Sequence, residues 1–81
     1  MYIVYVLKSE IARKSYVGIT DNLQRRIEQH NSGNSFYSRR YMPWKVVYTE
    51  KVEDRKVASK REKYFKTAAG RRYLKRFVFT N

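Results

Sequence analysis

Apolar and polar positions alternate at the start of the chain. Ile3, Tyr5 and Leu7 fall on one side and Tyr2, Val4 and Val6 on the other, the period-two signature of a strand over Tyr2 to Lys8. A polar loop, Ser9 to Lys14, separates it from a second strand, Ser15 to Thr20. The even loop length makes opposed positions of the hairpin sum to an odd number in any unbulged register. Tyr5 and Tyr16 therefore share a sheet face with Ile3, Leu7, Gly18 and Thr20. The period then changes to that of a helix, with Leu23 and Ile27 as its buried stripe. Asp21 is the expected cap, Gln24 its capping-box partner, and Asn31-Ser32-Gly33 the stop. At 100° per residue Arg26 flanks the stripe, His30 lies between Arg26 and Ile27, and Arg25 points away. Of the two adjacent arginines, only Arg26 can reach the sheet.

The stretch Asn34 to Met42 is polar, aromatic and basic and reads as a loop with at most one helical turn, under which Trp44 packs. Pro43-Trp44 introduces a third strand, Lys45 to Val52, whose alternation sets Val46 and Tyr48 against Val47 and Thr49. Asp54 caps a second helix reaching about Thr67, Ala68-Ala69-Gly70 marks a break, and Arg71 to Phe77 forms a short final helix. The expected fold is a small α/β (α+β) domain over residues 1–81, a three-stranded antiparallel sheet flanked by helices.

Composition narrows the chemistry. Eighty-one residues allow one core, and eight Tyr, four Phe and one Trp supply much of it. The chain has no cysteine and one histidine, which excludes disulfides, thiolate zinc sites and His-rich cages. A bound metal would be an oxygen-ligated one, Mg²⁺, Mn²⁺ or Ca²⁺. The apolar opening is too short for a signal peptide or membrane span, so a cytoplasmic protein is expected. Nineteen Lys+Arg stand against seven Asp+Glu, and the net charge of +12 calls for a polyanionic partner. Nucleic acid fits better than a membrane surface, because no segment pairs a basic face with a broad apolar one.

Cleaving a phosphodiester requires an activated water, neutralised charge at phosphorus and a stabilised leaving oxygen. Tyr5 and Tyr16 offer phenols, able to act as base once neighbouring cations lower their pKa. Arg26 offers a planar fork matched to phosphate oxygens. Glu62, the only acid between Arg55 and Arg76, could hold one divalent cation, and His30 could share the proton work. The bland readings are core tyrosines, a satisfied histidine, and a Glu62–Lys66 helix-surface pair.

These residues resemble a known family. Ile3-Val4-Tyr5 and Tyr16-Val17-Gly18, the ten-residue step from Tyr16 to Arg26, and the late Arg61-Glu62-Lys63 look like the GIY-YIG nuclease domain. The family includes homing endonucleases, some restriction enzymes and the N-terminal nuclease of the excision-repair incision subunit. The run Tyr5-Val6-Leu7-Lys8-Ser9, Asn22-Leu23 with His30-Asn31, and Pro43-Trp44-Lys45 are similar to its small stand-alone members, so the likeness covers essentially the whole chain. It implies an endonuclease with Tyr5 or Tyr16 as general base, Arg26 on phosphate and Glu62 as sole protein ligand of one Mg²⁺ or Mn²⁺. His30 joins as a further catalytic candidate, and Gly18 gives close backbone approach to substrate. It also implies DNA as the partner and a setting such as DNA repair. Three positions depart from the pattern: Ile3 replaces the first glycine, Ile19 stands where excision-repair relatives carry lysine, and Leu74 to Phe77 lack an asparagine that many relatives have.

Arg39, Arg40, Lys45, Lys60, Lys63, Arg71 and Arg72 are the expected contacts to the nucleic-acid backbone, with Tyr37 and Tyr41 as stacking candidates. Specificity is expected from DNA structure or from a protein partner. The rival reading is a non-catalytic nucleic-acid-binding module with the same fold and basic face.

Overall fold

The computed structural model describes residues 1–33 and 36–79, and at residues 36 and 37 the backbone alone. Three strands, β1 (Tyr2–Ser9), β2 (Ser15–Thr20) and β3 (Trp44–Val52), form an antiparallel sheet of order β2-β1-β3. Four helices accompany it: α1 (Leu23–Asn31), α2 (Phe36–Tyr41), α3 (Arg55–Phe65) and α4 (Ala68–Phe77). The β1–β2 register pairs Ile3 with Thr20, Tyr5 with Gly18 and Leu7 with Tyr16. Opposed positions sum to an odd number, as the hairpin parity requires, and the two tyrosines share a face.

Each sheet face builds its own core. Val4, Val6 and Val17 pack with Ala58 and Phe65 of α3 and Leu74 of α4. On the other face Tyr5 and Leu7 pack with Trp44, joined by Leu23 and Ile27 of α1 and Tyr41 of α2. The central strand is thus buried on both sides, and Val4 to Leu7 are all fully buried.

Four local expectations are corrected. Asn22, not Asp21, caps α1: its side-chain oxygen accepts from the Arg25 amide at 3.1 Å, while the Thr20 hydroxyl accepts from the Asn22 amide. The cap therefore starts one residue later, and Gln24 donates to Glu28 instead of closing a capping box. Residues 36–41 form a helix of six residues, not a loop, although residues 34 and 35 lie outside the described part. In β3 the expected alternation is broken, because Val6 pairs with Tyr48 but Leu7 with Val46. Val47 is the extra residue of a β-bulge, so Val46 packs with Tyr5 and Tyr48 with the Phe65 core. Finally, Ala68-Ala69-Gly70 opens α4 instead of breaking the chain. The break is at Lys66-Thr67, where the Thr67 hydroxyl caps the Gly70 amide at 3.1 Å. Gly70 is there for space, since a Cβ would collide with the Tyr64 carbonyl oxygen and stand 2.6 Å from the Phe65 Cα. By contrast, Asp54 caps α3 as expected, accepting from the Val57 amide at 2.9 Å. Gly33, at φ 84°, takes the left-handed conformation that follows α1.

Candidate active site

The centre of the site is the Tyr5 hydroxyl. Tyr5 lies mid-strand in β1, and its ring is fully buried because α1 covers that face of the sheet. From α1, Arg26 Nε donates to the Tyr5 oxygen at 3.2 Å. His30, one turn further on, brings Nε2 to 3.2 Å from the same oxygen. A guanidinium can only donate, so the Tyr5 oxygen accepts from Arg26, and a neutral imidazole meets the same oxygen as acceptor or donor according to its tautomer.

The electrostatics agree. Burial, and then the charge of Arg26, lower the His30 pKa below its ordinary 6.5. Burial also raises the Tyr5 pKa above 10.0, opposed by the Arg26 hydrogen bond and reinforced by Tyr16 and Glu62. At Tyr5 desolvation therefore outweighs the one guanidinium. Arg26 is correspondingly held more firmly protonated, chiefly by its bond to Tyr5 and further by Tyr16.

Tyr16 comes from β2 and is only partly buried. Its ring meets His30 edge-on, with centroids 4.7 Å apart, and stacks near Tyr5 at 6.2 Å. Gly18 makes this possible, since a Cβ there would lie 2.5 Å from the Tyr5 hydroxyl and 2.9 Å from Tyr16 Cε1. Gly18 therefore serves the packing of the two phenols. His30 is 3 % exposed and central to the cluster, with its Nδ1 lacking a hydrogen-bond partner among the described residues.

A stability prediction follows from the imidazole. The unfolded state takes up a proton near pH 6.5 that folded His30 resists, so unfolded chains bind more protons and stability falls with falling pH. Urea unfolding is expected to show this loss as pH falls through about 6.5, with a folded imidazole titrating below 6.5 by NMR. Glu50, lowered by Arg61, adds its own loss only as pH drops below 4.5. An imidazole titrating above its ordinary value would contradict the assigned neutral form.

Glu62 lies on the α3 stripe that carries Ala58 and Phe65 and so faces the sheet. Its carboxylate is 26 % exposed and pairs with Lys66 Nζ at 3.3 Å, the helix-surface partner that the spacing allows. Its charge also reaches the Tyr5 phenol. Among the described residues no three His, Cys, Asp or Glu side chains cluster, and Glu62 is the carboxylate whose charge reaches Tyr5. Mg²⁺ is commonly held by one or two carboxylates together with phosphate and water. A single carboxylate donor of this kind would suit Mg²⁺ or Mn²⁺ and not structural zinc.

The surface candidates are scattered. Arg39, Arg40, Lys45, Lys60, Lys63, Arg71 and Arg72 are all exposed, on α2, β3, α3 and α4. Arg71 lines a groove beside Tyr16, and Lys45 lines one beside Lys8. Tyr41 packs edge-on against Trp44, with centroids 6.4 Å apart, and the Tyr37 side chain lies outside the described residues. Trp44 is buried as expected, its Nε1 donating to the Ser38 carbonyl at 2.8 Å.

Two structural groups were not expected from the sequence. The Asn31 side chain binds both backbone groups of Trp44, accepting from its amide at 2.6 Å and donating to its carbonyl at 3.2 Å, and so ties the end of α1 to β3. Arg61 forks onto Glu50 at 2.7 and 3.1 Å, and Tyr48 donates to Glu50 at 2.8 Å. The signal for Asn31 was its place directly after the helical stripe. The Glu50 group depends on the bulge and had no local signal.

The model of the GIY-YIG catalytic domain matches residues 1–75. A UPF0213 protein of Clostridium perfringens is 42 % identical over 67 residues, which is 82 % of this chain and 71 % of that protein. A UPF0213 protein of Bacillus cereus is 42 % identical over 52 residues, 63 % of this chain and 54 % of its own length. One from Desulfotalea psychrophila is 49 % identical over 49 residues, 58 % of this chain and 44 % of its own length. No solved structure matches the chain.

Proposed function

The chain belongs to the GIY-YIG catalytic-domain family, and from that premise we propose that it is a divalent-metal-dependent endonuclease hydrolysing phosphodiester bonds in DNA. The observation that carries this reading is the hydrogen-bonded set of Arg26, Tyr5 and His30 with the Tyr16 ring against it. Tyr16, at the accessible edge of the cluster, assists deprotonation of the attacking water. Tyr5 remains protonated and acts as a positioning residue, orienting Arg26 and accepting its hydrogen bond beside neutral His30. Arg26 stabilises the negative charge that builds on the phosphoryl oxygens. Glu62 would hold the cation, which would supply charge neutralisation at the phosphate and at the leaving oxygen. Among the described residues no helix is long and apolar enough to cross a membrane. A cytoplasmic role in DNA repair, with a protein partner or DNA structure supplying specificity, completes the proposal.

A second reading, a non-catalytic binding module, draws on the Lys66–Glu62 ion pair, which occupies the carboxylate a cation would need. One experiment separates the two. Labelled duplex, single-stranded, nicked, flap and junction DNA, with RNA alongside, is incubated with wild type and Glu62→Gln in Mg²⁺, Mn²⁺ or EDTA. The endonuclease reading expects metal-dependent products that fall about a hundredfold or more in Glu62→Gln, with binding in EDTA retained. Salt-dependent binding with no Glu62-dependent product would establish the module instead.

A further inference from the structure

Arg26 has a second surface. Its Nε is held on the Tyr5 hydroxyl at 3.2 Å and its Nη1 on Gln29 Oε1 at 3.1 Å, so the plane of the guanidinium is fixed from two sides. Arg26 and Gln29 also line a groove, together with Arg25 and with Arg55, the first residue of α3. This groove sits where β2 hands over to α1, at the end of the sheet where Tyr2 pairs with Val52 and β3 hands over to α3. Arg26 belongs to both the Tyr5 cluster and the groove, which makes the two contiguous.

The charge of the groove is concentrated and barely compensated. Three arginines line it against one acid, Asp21. Among the described residues the ion pairs are Arg61–Glu50 and Lys66–Glu62, so no carboxylate neutralises Arg25 or Arg55. Arg55 instead lies over the Tyr2 ring, with its guanidinium carbon 5.9 Å from the centroid. A ring face holds a cation without consuming its N–H donors, which stay in the plane of the fork for an anion. Arg25 is exposed, as its turn away from the sheet requires, and that turn is what brings it to the groove. Solvated arginines have no reason to collect around one concavity, because like charges repel. A phosphate relieves that repulsion and accepts from the forks.

We propose that Arg25 and Arg55 hold the phosphate adjoining the scissile one, so that the strand passes from the Tyr5 cluster into this groove with consecutive phosphates on Arg26 and on the Arg25–Arg55 pair. The inference rests on the endonuclease reading for Arg26 as the partner of the scissile phosphate. The pairing of two phosphates is measurable without cleavage. Both new contacts lie outside the reacting bond and are the same in substrate and transition state, so they act on KM and not on kcat.

The test is an NMR titration in EDTA with thymidine 3′,5′-bisphosphate, which carries two phosphates on one nucleoside, and with thymidine 5′-monophosphate. Wild type is compared with Arg25→Gln/Arg55→Gln and with Arg25→Lys/Arg55→Lys, which keeps the charge and loses the forks. A control, Lys75→Gln/Arg76→Gln, removes the same charge at the end of α4, which lines no part of the groove. Circular dichroism and Trp44 fluorescence verify each fold. The bisphosphate is expected to bind wild type about tenfold more tightly than the monophosphate, shifting the side-chain Nε–H signals of Arg25, Arg26 and Arg55. The glutamine pair should erase that advantage, the lysine pair should restore part of it, and the control should keep it in full. Equal affinity of the two nucleotides for wild type, an advantage kept by the glutamine pair, or one lost equally in the control would overturn the proposal. On DNA that wild type cuts, the glutamine pair should raise KM about tenfold at an unchanged single-turnover rate. A bisphosphate preference that depends on Arg25 and Arg55, without Glu62-dependent cleavage of any DNA, would overturn the endonuclease reading and leave the groove in place. Glu62-dependent cleavage with wild-type KM in the glutamine pair would do the reverse.

Discussion

Replacing Tyr16 with phenylalanine is expected to lower the cleavage rate by about a thousandfold while leaving the fold and DNA binding close to wild type. The ring packs edge-on to His30 and is retained, and the change removes a hydroxyl that helps hold Arg26 protonated. Tyr5→Phe should behave differently. That hydroxyl is fully buried between Arg26 and His30, so its loss leaves a donor and a buried ring nitrogen without their partner. The expected result is a stability loss of about 1–3 kcal/mol and a smaller rate loss, about tenfold. Single-turnover rates over a pH series, with urea unfolding of the same proteins, separate the two. A Tyr5→Phe enzyme slower than Tyr16→Phe at equal stability would reverse the assignment of the two phenols.

Gly18→Ala should be the most damaging change that touches no functional group. The added methyl would sit 2.5 Å from the Tyr5 hydroxyl and 2.7 Å from its Cζ, and Tyr5 cannot yield without losing Arg26 and His30. Overpacking of this kind costs about 1–3 kcal/mol, and displacement of the catalytic groups by about 1 Å slows cleavage about a hundredfold. Combined with Tyr5→Phe, the stability losses should fall short of their sum, because the phenyl ring has already given up its hydrogen bonds. Strict additivity in urea unfolding would show that the methyl is accommodated elsewhere.

Much of the site was legible because local rules act at short range. Hairpin parity alone placed Tyr5 and Tyr16 on one face, and the paired register bears it out. Helix periodicity alone separated Arg26, which reaches Tyr5, from exposed Arg25. The misplacement of the α1 cap by one residue reflects a competition between Asp21 and Asn22 that the Thr20 hydroxyl decides. The Val47 bulge was hidden, because an extra residue in one strand is defined only by its pairing with the other.

Period and parity, which are properties of neighbouring residues, thus determined the strands, the buried stripes and the common face of the phenols. The basic balance of the chain likewise set the sign of its net charge. Tertiary structure decided what depends on burial and on distant segments. Desolvation under α1 raised the Tyr5 pKa and lowered that of His30. The meeting of Tyr5, Arg26 and His30 likewise required α1 to lie across β1. Charge sign is a sum over residues and can be counted, whereas pKa and concavity depend on which atoms exclude water, and that is settled only when the layers pack.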